Sequence, residues 1–216
     1  MRQAVIFDLD GVITDTARFH FQAWKWLAEQ EGLSIDEQFN EKLKGLDRMK
    51  SLDLILATGS KRFTDSEKHV LADKKNEYYK QLISGMNQSD LLPGAFDVLQ
   101  AVRALGVKTA LASVSKNAGV ILEKLEISRL FDYVVDAERI VRTKPDPEIF
   151  LTAAKELKVA PERCIGVEDA VVGVQAIKSA DMYAIGVGCR DVLSQADLII
   201  DDLTAFPLGA AYKAIA

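Results

Sequence analysis

Asp8 and Asp10 stand in the run Val5-Ile6-Phe7-Asp8-Leu9-Asp10-Gly11-Val12, two carboxylates one residue apart at the end of an apolar stretch. A carboxylate at the edge of a core loses hydration, so a pair there calls for a cation or a reacting group to compensate it. Two such groups can divide the labour, one staying ionised as nucleophile or cation ligand while the other gives and takes a proton. The alternative is a pair of solvated acids in an ordinary turn. Glu168-Asp169 close a second apolar stretch just before a helix. Either they cap that helix or they share a hard divalent ion with Asp8, and Mg2+ suits oxygen ligands that must also admit phosphate. With two histidines and two scattered cysteines, zinc has few ligands to draw on.

Five further stations carry charge or hydroxyls. Ser113-Val114-Ser115-Lys116-Asn117 runs from an apolar stretch into a helix. A hydroxyl and open backbone N–H groups at a helix start form an anion site, to which Lys116 adds charge, although Ser113 serves equally well as a plain N-cap. Lys144 precedes Pro145, whose ring keeps it out of a helix and aims it from a loop. Beside clustered acids it would neutralise charge during phosphoryl transfer; alone it is a solvated lysine. His20 shares a helical face with Ala17, Trp24 and Leu27, as a satisfied core residue or as a group that titrates near neutrality. Arg48 opens a helix and can grip a phosphate through paired N–H groups, while Lys75 lies midway along a long helix as surface charge or a further cation. Taken together, these residues describe a cation-assisted site for a phosphorylated substrate.

The elements that must hold them read as follows. Continuous apolar runs at 4–7, 108–112, 133–135, 164–167, 183–187 and 198–200 are strands buried on both faces, hence a parallel sheet. Helical periodicity lies between them, over 94–105 and from Pro147 onward. The βα alternation predicts an α/β class, a Rossmann-like doubly wound parallel sheet with its site at the carboxyl ends of the strands. Residues 15–91 break that alternation with helical patterns at 17–31, 36–42, 48–58 and 65–84, the last opened by a Thr64/Glu67 capping box. We therefore expect a core of 1–14 and 92–216 and an all-helical cap of 15–91 inserted after the first strand. Hinges at 12–16 and 88–93 would let it close as a lid and expel water.

Composition narrows the function classes. Across 216 residues, 49% hydrophobic against 27% charged is that of an ordinary globular protein. Net charge is −5, from 27 Lys and Arg against 32 Asp and Glu, and no basic block could track a nucleic-acid backbone. No apolar run approaches the ~18 residues of a membrane span, and Met1-Arg2-Gln3 lead straight into a strand, so we expect a cytoplasmic protein. Cys164 and Cys189 lie in apolar segments and are expected as buried thiols in a reducing compartment.

Asp8-Leu9-Asp10-Gly11-Val12, Ser113-Val114-Ser115-Lys116, Lys144-Pro145-Asp146-Pro147 and Gly166-Val167-Glu168-Asp169 resemble, in order, the four core motifs of the haloacid dehalogenase-like phosphotransferases with a helical cap. The resemblance spans essentially the full length. It implies that Asp8 is the nucleophile that becomes an aspartyl phosphate, Asp10 the general acid and base, and Ser113 and Lys144 the phosphate and charge clamps. Mg2+ would be held by Asp8, the backbone carbonyl of Asp10 and Asp169, with Glu168 also at the metal. Asp15-Thr16, His20, the stretch Leu43-Lys44-Gly45-Leu46-Asp47-Arg48 through Ser51-Leu52, Lys75-Asn76 and Ser115-Lys116-Asn117 are similar to the sugar-phosphate mutases of that family. On that likeness Arg48 holds the phosphate that is not reacting, and Lys75 contacts the sugar or that phosphate. His20 aligns the substrate and Asp10, with Thr16 beside it in the catalytic set, and Gly45, Ser51, Ser115, Lys116 and Asn117 complete the substrate-binding set. The implied reaction interconverts β-D-glucose 1-phosphate and glucose 6-phosphate, with β-glucose 1,6-bisphosphate as priming phosphoryl donor and intermediate. A cap-bearing sugar-phosphate phosphatase would use the same core with water as acceptor. A phospho-ligand binding module without turnover has no evident need for both Asp8 and Asp10. We expect a monomer whose partner is a small sugar phosphate.

Overall fold

Strand β1 (Ala4–Phe7) is buried at all four positions, as an apolar run covered on both faces must be. The computed structural model, which describes residues 2–43, 46, 48–209 and 212, places β1 near the middle of a parallel sheet. Its neighbours are β2 (Lys108–Leu111), β3 (Tyr133–Val134), β4 (Cys164–Glu168), β5 (Tyr183–Val187) and β6 (Leu198–Ile200), in the order β3-β2-β1-β4-β5-β6. Phe7 pairs with Leu111 on one side and Val167 on the other. The ends of β1, β2 and β4 therefore lie level. Strand order reverses between β1 and β4, where an open parallel sheet forms its ligand crevice.

The chain divides into two compact units, residues 1–15 with 86–216, and residues 16–85. In the larger unit α7 (Glu148–Leu157) turns Ile149, Phe150, Ala153, Ala154 and Leu157 into a cluster with Ala4, Ile6, Ala110, Cys164 and Ala184, alternate residues of the sheet. Full burial of a side chain such as Ile149 or Phe150 stabilises by about 1.5–3 kcal/mol. Helix α8 (Val171–Ser179) packs on β4 and β5, and α5 (Ala95–Ala104) on β2.

Residues 86–91, which the sequence reading places with the insert, belong to the larger unit. Thr14 forms an antiparallel bridge with Leu91, its Oγ1 donates to the Asp90 carbonyl (2.7 Å), and the Leu92 N–H donates to the Ile13 carbonyl (3.0 Å).

The smaller unit holds α1 (Ala17–Gln30), α2 (Glu37–Glu41), α3 (Arg48–Leu56) and α4 (Asp65–Ile83), with no strand among the described residues. Trp24, Leu27, Leu52, Ile55 and Leu71 form its core. The Thr64/Glu67 capping box opens α4: the Glu67 N–H donates to Thr64 Oγ1 (3.3 Å) and the Thr64 N–H to Glu67 Oε2 (2.7 Å). Such a cap stabilises by about 1 kcal/mol. One sequence expectation needs correction. Cys164 is buried in β4, but Cys189 is exposed, because it follows β5 in the turn begun by Gly188 at φ 119°. Among the described residues no helix is long and apolar enough to cross a membrane.

Candidate active site

At the carboxyl ends of β1 and β4 three carboxylates meet. Asp8, whose N–H still donates to the Val167 carbonyl in the ladder (3.0 Å), is nearly buried, and Glu168 is buried at the last position of β4. One carboxylate oxygen from each of Asp8, Glu168 and Asp169 lies within 4.8 Å of the others. Lys144 reaches into this group: its Nζ donates to Asp8 Oδ1 (2.6 Å) and Glu168 Oε1 (2.5 Å), over the ring of Phe150. The second oxygen of Glu168 accepts the Ala170 N–H (3.0 Å). The Lys144-Pro145 peptide bond is cis.

The electrostatics follow from crowding. Burial pushes the Asp8 carboxyl well above its ordinary range against the pull of Lys144, and the charges of Glu168 and Asp10 add to the rise. Partial loss of hydration and the charge of Glu168 push Asp169 up to about 7. Burial opposes the charge of Lys144, but Asp8 and Glu168 outweigh it and hold the amine above its ordinary value. With all three carboxylates ionised, one ammonium would leave two negative charges, which either protons or a cation must balance. The donor set is all oxygen, with no imidazole or thiol in the cluster, which fits Mg2+.

Glycines permit the close approach. Gly11 sits at φ +76°, and a Cβ there would lie 2.0 Å from Asp169 Oδ2. Gly173, in the first turn of α8, leaves room for the Glu168 carboxyl group. Gly173 is a site residue not expected above, and its signal in the sequence is a glycine inside a helix shortly after two acids.

The remaining core stations are placed as follows. Asp10 is half-buried and lies outside the three-carboxylate cluster; its backbone bridges to Thr14, and its charge acts on Asp8 and Asp169. Ser113 is buried, and its Oγ accepts the Ser115 N–H (3.1 Å), while Ser115 Oγ accepts the Asn117 N–H (3.3 Å). The N-cap of α6 (Ala118–Lys124) is Asn117, also buried, so Ser113 is not the plain cap. Lys116 forms an exposed ion pair with Glu138 (3.0 Å).

In the smaller unit the candidate residues converge on Lys75, which is only 3% exposed. Its Nζ lies 2.8 Å from His20 Nδ1 and over the rings of Trp24 and Tyr79, at 4.5 and 4.9 Å. His20 stacks on Tyr79, with centroids 4.1 Å apart. Arg48 Nη2 donates to Asn76 Oδ1 (3.0 Å), which ties α3 to α4. Burial and the nearby Arg48 charge bring Lys75 down to about 7, and burial followed by the charges of Lys75 and Arg48 brings His20 down to about 3. Crowding and burial thus favour the neutral forms of Lys75 and His20, a balance that a nearby anion would reverse. Ser51 is buried on α3, and Thr16 is the N-cap of α1, its carbonyl accepting the N–H groups of Phe19 and His20. Gly45 lies outside the described residues.

Comparisons with known proteins agree in direction. A family model described as haloacid dehalogenase-like hydrolase matches residues 3–181. The β-phosphoglucomutase of Bacillus subtilis (strain 168) is 47% identical over 207 residues, covering 94% of this chain and 92% of the relative. A phosphorylated carbohydrates phosphatase of Thermotoga maritima is 30% identical over 186 residues, covering 85% of this chain and 83% of that protein. Among solved structures, β-phosphoglucomutase from Clostridium difficile superposes with a TM-score of 0.91 at 46% identity, covering 100% of this chain and 96% of that one.

Proposed function

The chain belongs to the haloacid dehalogenase-like hydrolase family, and from that premise we propose that it interconverts β-D-glucose 1-phosphate and glucose 6-phosphate, the activity of a β-phosphoglucomutase. The observation that carries the choice over simple hydrolysis is the group of bases formed by Arg48, His20 and the buried Lys75. A bisphosphate has a second anionic end that needs such a group, whereas a monophosphate transferred to water does not. The 47% identity to the Bacillus subtilis mutase supports the same choice.

In this reading Asp8 is phosphorylated in advance by β-glucose 1,6-bisphosphate. Its phosphoryl group passes to the C6 hydroxyl of β-glucose 1-phosphate while the Asp10 carboxylate takes the hydroxyl proton. The resulting bisphosphate turns end for end, Asp8 attacks the C1 phosphorus, and Asp10 returns the proton to the leaving C1 oxygen, releasing glucose 6-phosphate and restoring the aspartyl phosphate. Lys144, bonded to Asp8 Oδ1, stabilises the negative charge that moves between the reacting oxygens. Ser113 and the backbone N–H groups around it receive the transferring phosphoryl oxygens, with Ser115, Lys116 and Asn117 beside them. Arg48 holds the idle phosphate through its paired N–H groups, Lys75 contacts the sugar or that phosphate, and His20 aligns the substrate and Asp10. Asp8, Asp169 and the Asp10 backbone carbonyl would hold Mg2+, with Glu168 also at the metal. When bound, the ion supplies positive charge to the phosphoryl oxygens. Thr16 is assigned to the catalytic set beside His20, and Gly45 and Ser51 to the substrate-binding set. We place the enzyme in the cytoplasm as a monomer.

Phosphorus NMR tests the reading. Protein, Mg2+ and β-glucose 1-phosphate, primed with a trace of glucose 1,6-bisphosphate, should yield glucose 6-phosphate with little inorganic phosphate. Predominant inorganic phosphate would replace the mutase with a phosphatase.

A further inference from the structure

Lys144 projects from the loop between Ile140 and Pro147, which belongs to no strand, so something other than the sheet must fix its backbone. That something is Glu148, the first residue of α7. Its Oε1 accepts the Val141 N–H (2.9 Å), and its Oε2 accepts both the Arg142 N–H (3.0 Å) and Arg142 Nε (3.1 Å). The bracket closes from the other side, where Asp146 Oδ1 accepts the Glu148 N–H (3.0 Å) and Arg142 Nη1 pairs with Asp146 Oδ2 (3.3 Å). The Asp146 N–H donates to the Thr143 carbonyl (3.1 Å), which makes the turn that presents Lys144. One carboxylate thus ties residues 141 and 142 to a helix whose next two residues, Ile149 and Phe150, are fully buried under the sheet. The Glu148 carboxyl is correspondingly held below its ordinary range, first by the Val141 N–H.

We propose that Glu148 is a positioning residue for phosphoryl transfer, setting the loop so that the Lys144 amine falls between Asp8 and Glu168. The physical reason lies in reach. Lys144 has four rotatable side-chain bonds, and its two contacts at 2.6 and 2.5 Å hold it there only if its Cα cannot drift. The helix supplies rigidity and Glu148 transmits it. The inference rests on the proposed role of Lys144 at Asp8, but not on which sugar is used or whether water or a hydroxyl accepts the phosphoryl group.

The test is a double-mutant cycle of Glu148→Gln and Lys144→Ala, read on the mutase reaction and on hydrolysis of an aryl phosphate, with thermal unfolding of each variant. Gln keeps the size of Glu148 but offers one acceptor oxygen where three N–H groups need two. Glu148→Gln should lower kcat about 10- to 100-fold on both substrates with KM changed less than about twofold, as misplacement by an ångström does. In the Lys144→Ala background the same change should cost almost nothing, whereas a merely structural residue would cost as much in either background. A full cost in both backgrounds, or a loss of less than about twofold in the parent, overturns the inference. If Lys144→Ala itself leaves kcat intact, the proposed role of Lys144 falls and this inference with it. Should Glu148→Gln fail to fold, Arg142→Ala carries the test, since that side chain is 69% exposed and withdraws only its contacts to Glu148 and Asp146. It should lower kcat about two- to fivefold, and an unchanged kcat overturns the inference.

Discussion

Gly173→Ala sets two opposed effects against each other at one atom. Helix propensity alone favours the change, since alanine in place of a helical glycine stabilises by about 0.5–1 kcal/mol. Packing opposes it. The new methyl would lie 1.9 Å from both Cδ and Oε1 of Glu168 and 2.5 Å from its Cγ, where real contacts stay beyond 3.0 Å. Something must yield by about 1 Å, and interiors packed as densely as crystals do not yield that much without breaking contacts. Glu168 cannot swing aside freely, because Oε1 is held by Lys144 and Oε2 by the Ala170 N–H. Loosening a buried ion pair in this way costs about 3–5 kcal/mol, so the net effect is a destabilisation of about 2–4 kcal/mol. At about 2–4 °C per kcal/mol for a chain of this size, the Tm should fall by about 5–15 °C. Turnover should fall by at least about tenfold, because Glu168 shares Lys144 with Asp8. Gly119→Ala is the matched control: also helical, but with nothing within 4 Å of the added Cβ, it should hold or raise the Tm. Scanning calorimetry of the two variants side by side decides the matter, and a Gly173→Ala Tm equal to or above the parent refutes the packing argument.

Stability should rise with pH from about 7 to 10.5, because Lys75 sheds its proton at about 7 when folded and near 10.5 when unfolded, so the unfolded chain binds the extra proton in that window. The penalty is fully present below pH 7, His20 adds a similar one that fades between about 3 and 6.5, and urea titrations of Lys75→Met should lack the upper slope. Asp8→Asn should reduce turnover by more than about 1,000-fold and abolish the hydroxylamine-sensitive phosphoenzyme; a tenth of parent activity would contradict the covalent route. Asp10→Asn should spare phosphorylation of Asp8 by an aryl phosphate, whose leaving group needs no proton, while slowing transfer to sugar by about 100- to 10,000-fold. Arg48→Ala should weaken glucose 1,6-bisphosphate binding by about 10- to 100-fold, read by calorimetry, and leave aryl phosphate hydrolysis within a few-fold.

The sheet was legible because its strands are apolar on both faces: 4–7, 183–187 and 198–200 match β1, β5 and β6 residue for residue. Helix α4 was equally plain, since Thr64 and Glu67 advertise its start. Boundaries drifted where the last turn has no punctuation, as in α3, which ends at Leu56 rather than 58. Cys189 was misread because an apolar neighbourhood in sequence says nothing about a turn that leaves the sheet. The acids declared themselves as candidates through their place after strands. What single residues could not convey was partnership. The bond from Lys144 to both Asp8 and Glu168, and the brace of Glu148 on the Lys144 loop, join residues far apart or on different elements, with no periodicity between them. Lys75 is the clearest case, as its position midway along a polar helix suggests solvent, whereas the rings of Trp24 and Tyr79 and the His20 Nδ1 contact surround a buried amine.

Residues 16–85 leave and rejoin the larger unit through strands of backbone that Thr14 and Leu91 pin side by side. To the sheet, therefore, the whole insert is a loop whose two ends are already tied. The entropy of closing such a loop grows only with the logarithm of its length, so doubling the inserted chain would cost about 0.6 kcal/mol. The consequence is a division of inheritance. The insert behaves as an exchangeable cassette whose size and side chains can be rewritten with little effect on the strands that bear Asp8 and Glu168. If the proposed contacts of Arg48 and Lys75 with substrate hold, choice of substrate can change at one locus while the reacting chemistry stays fixed at another.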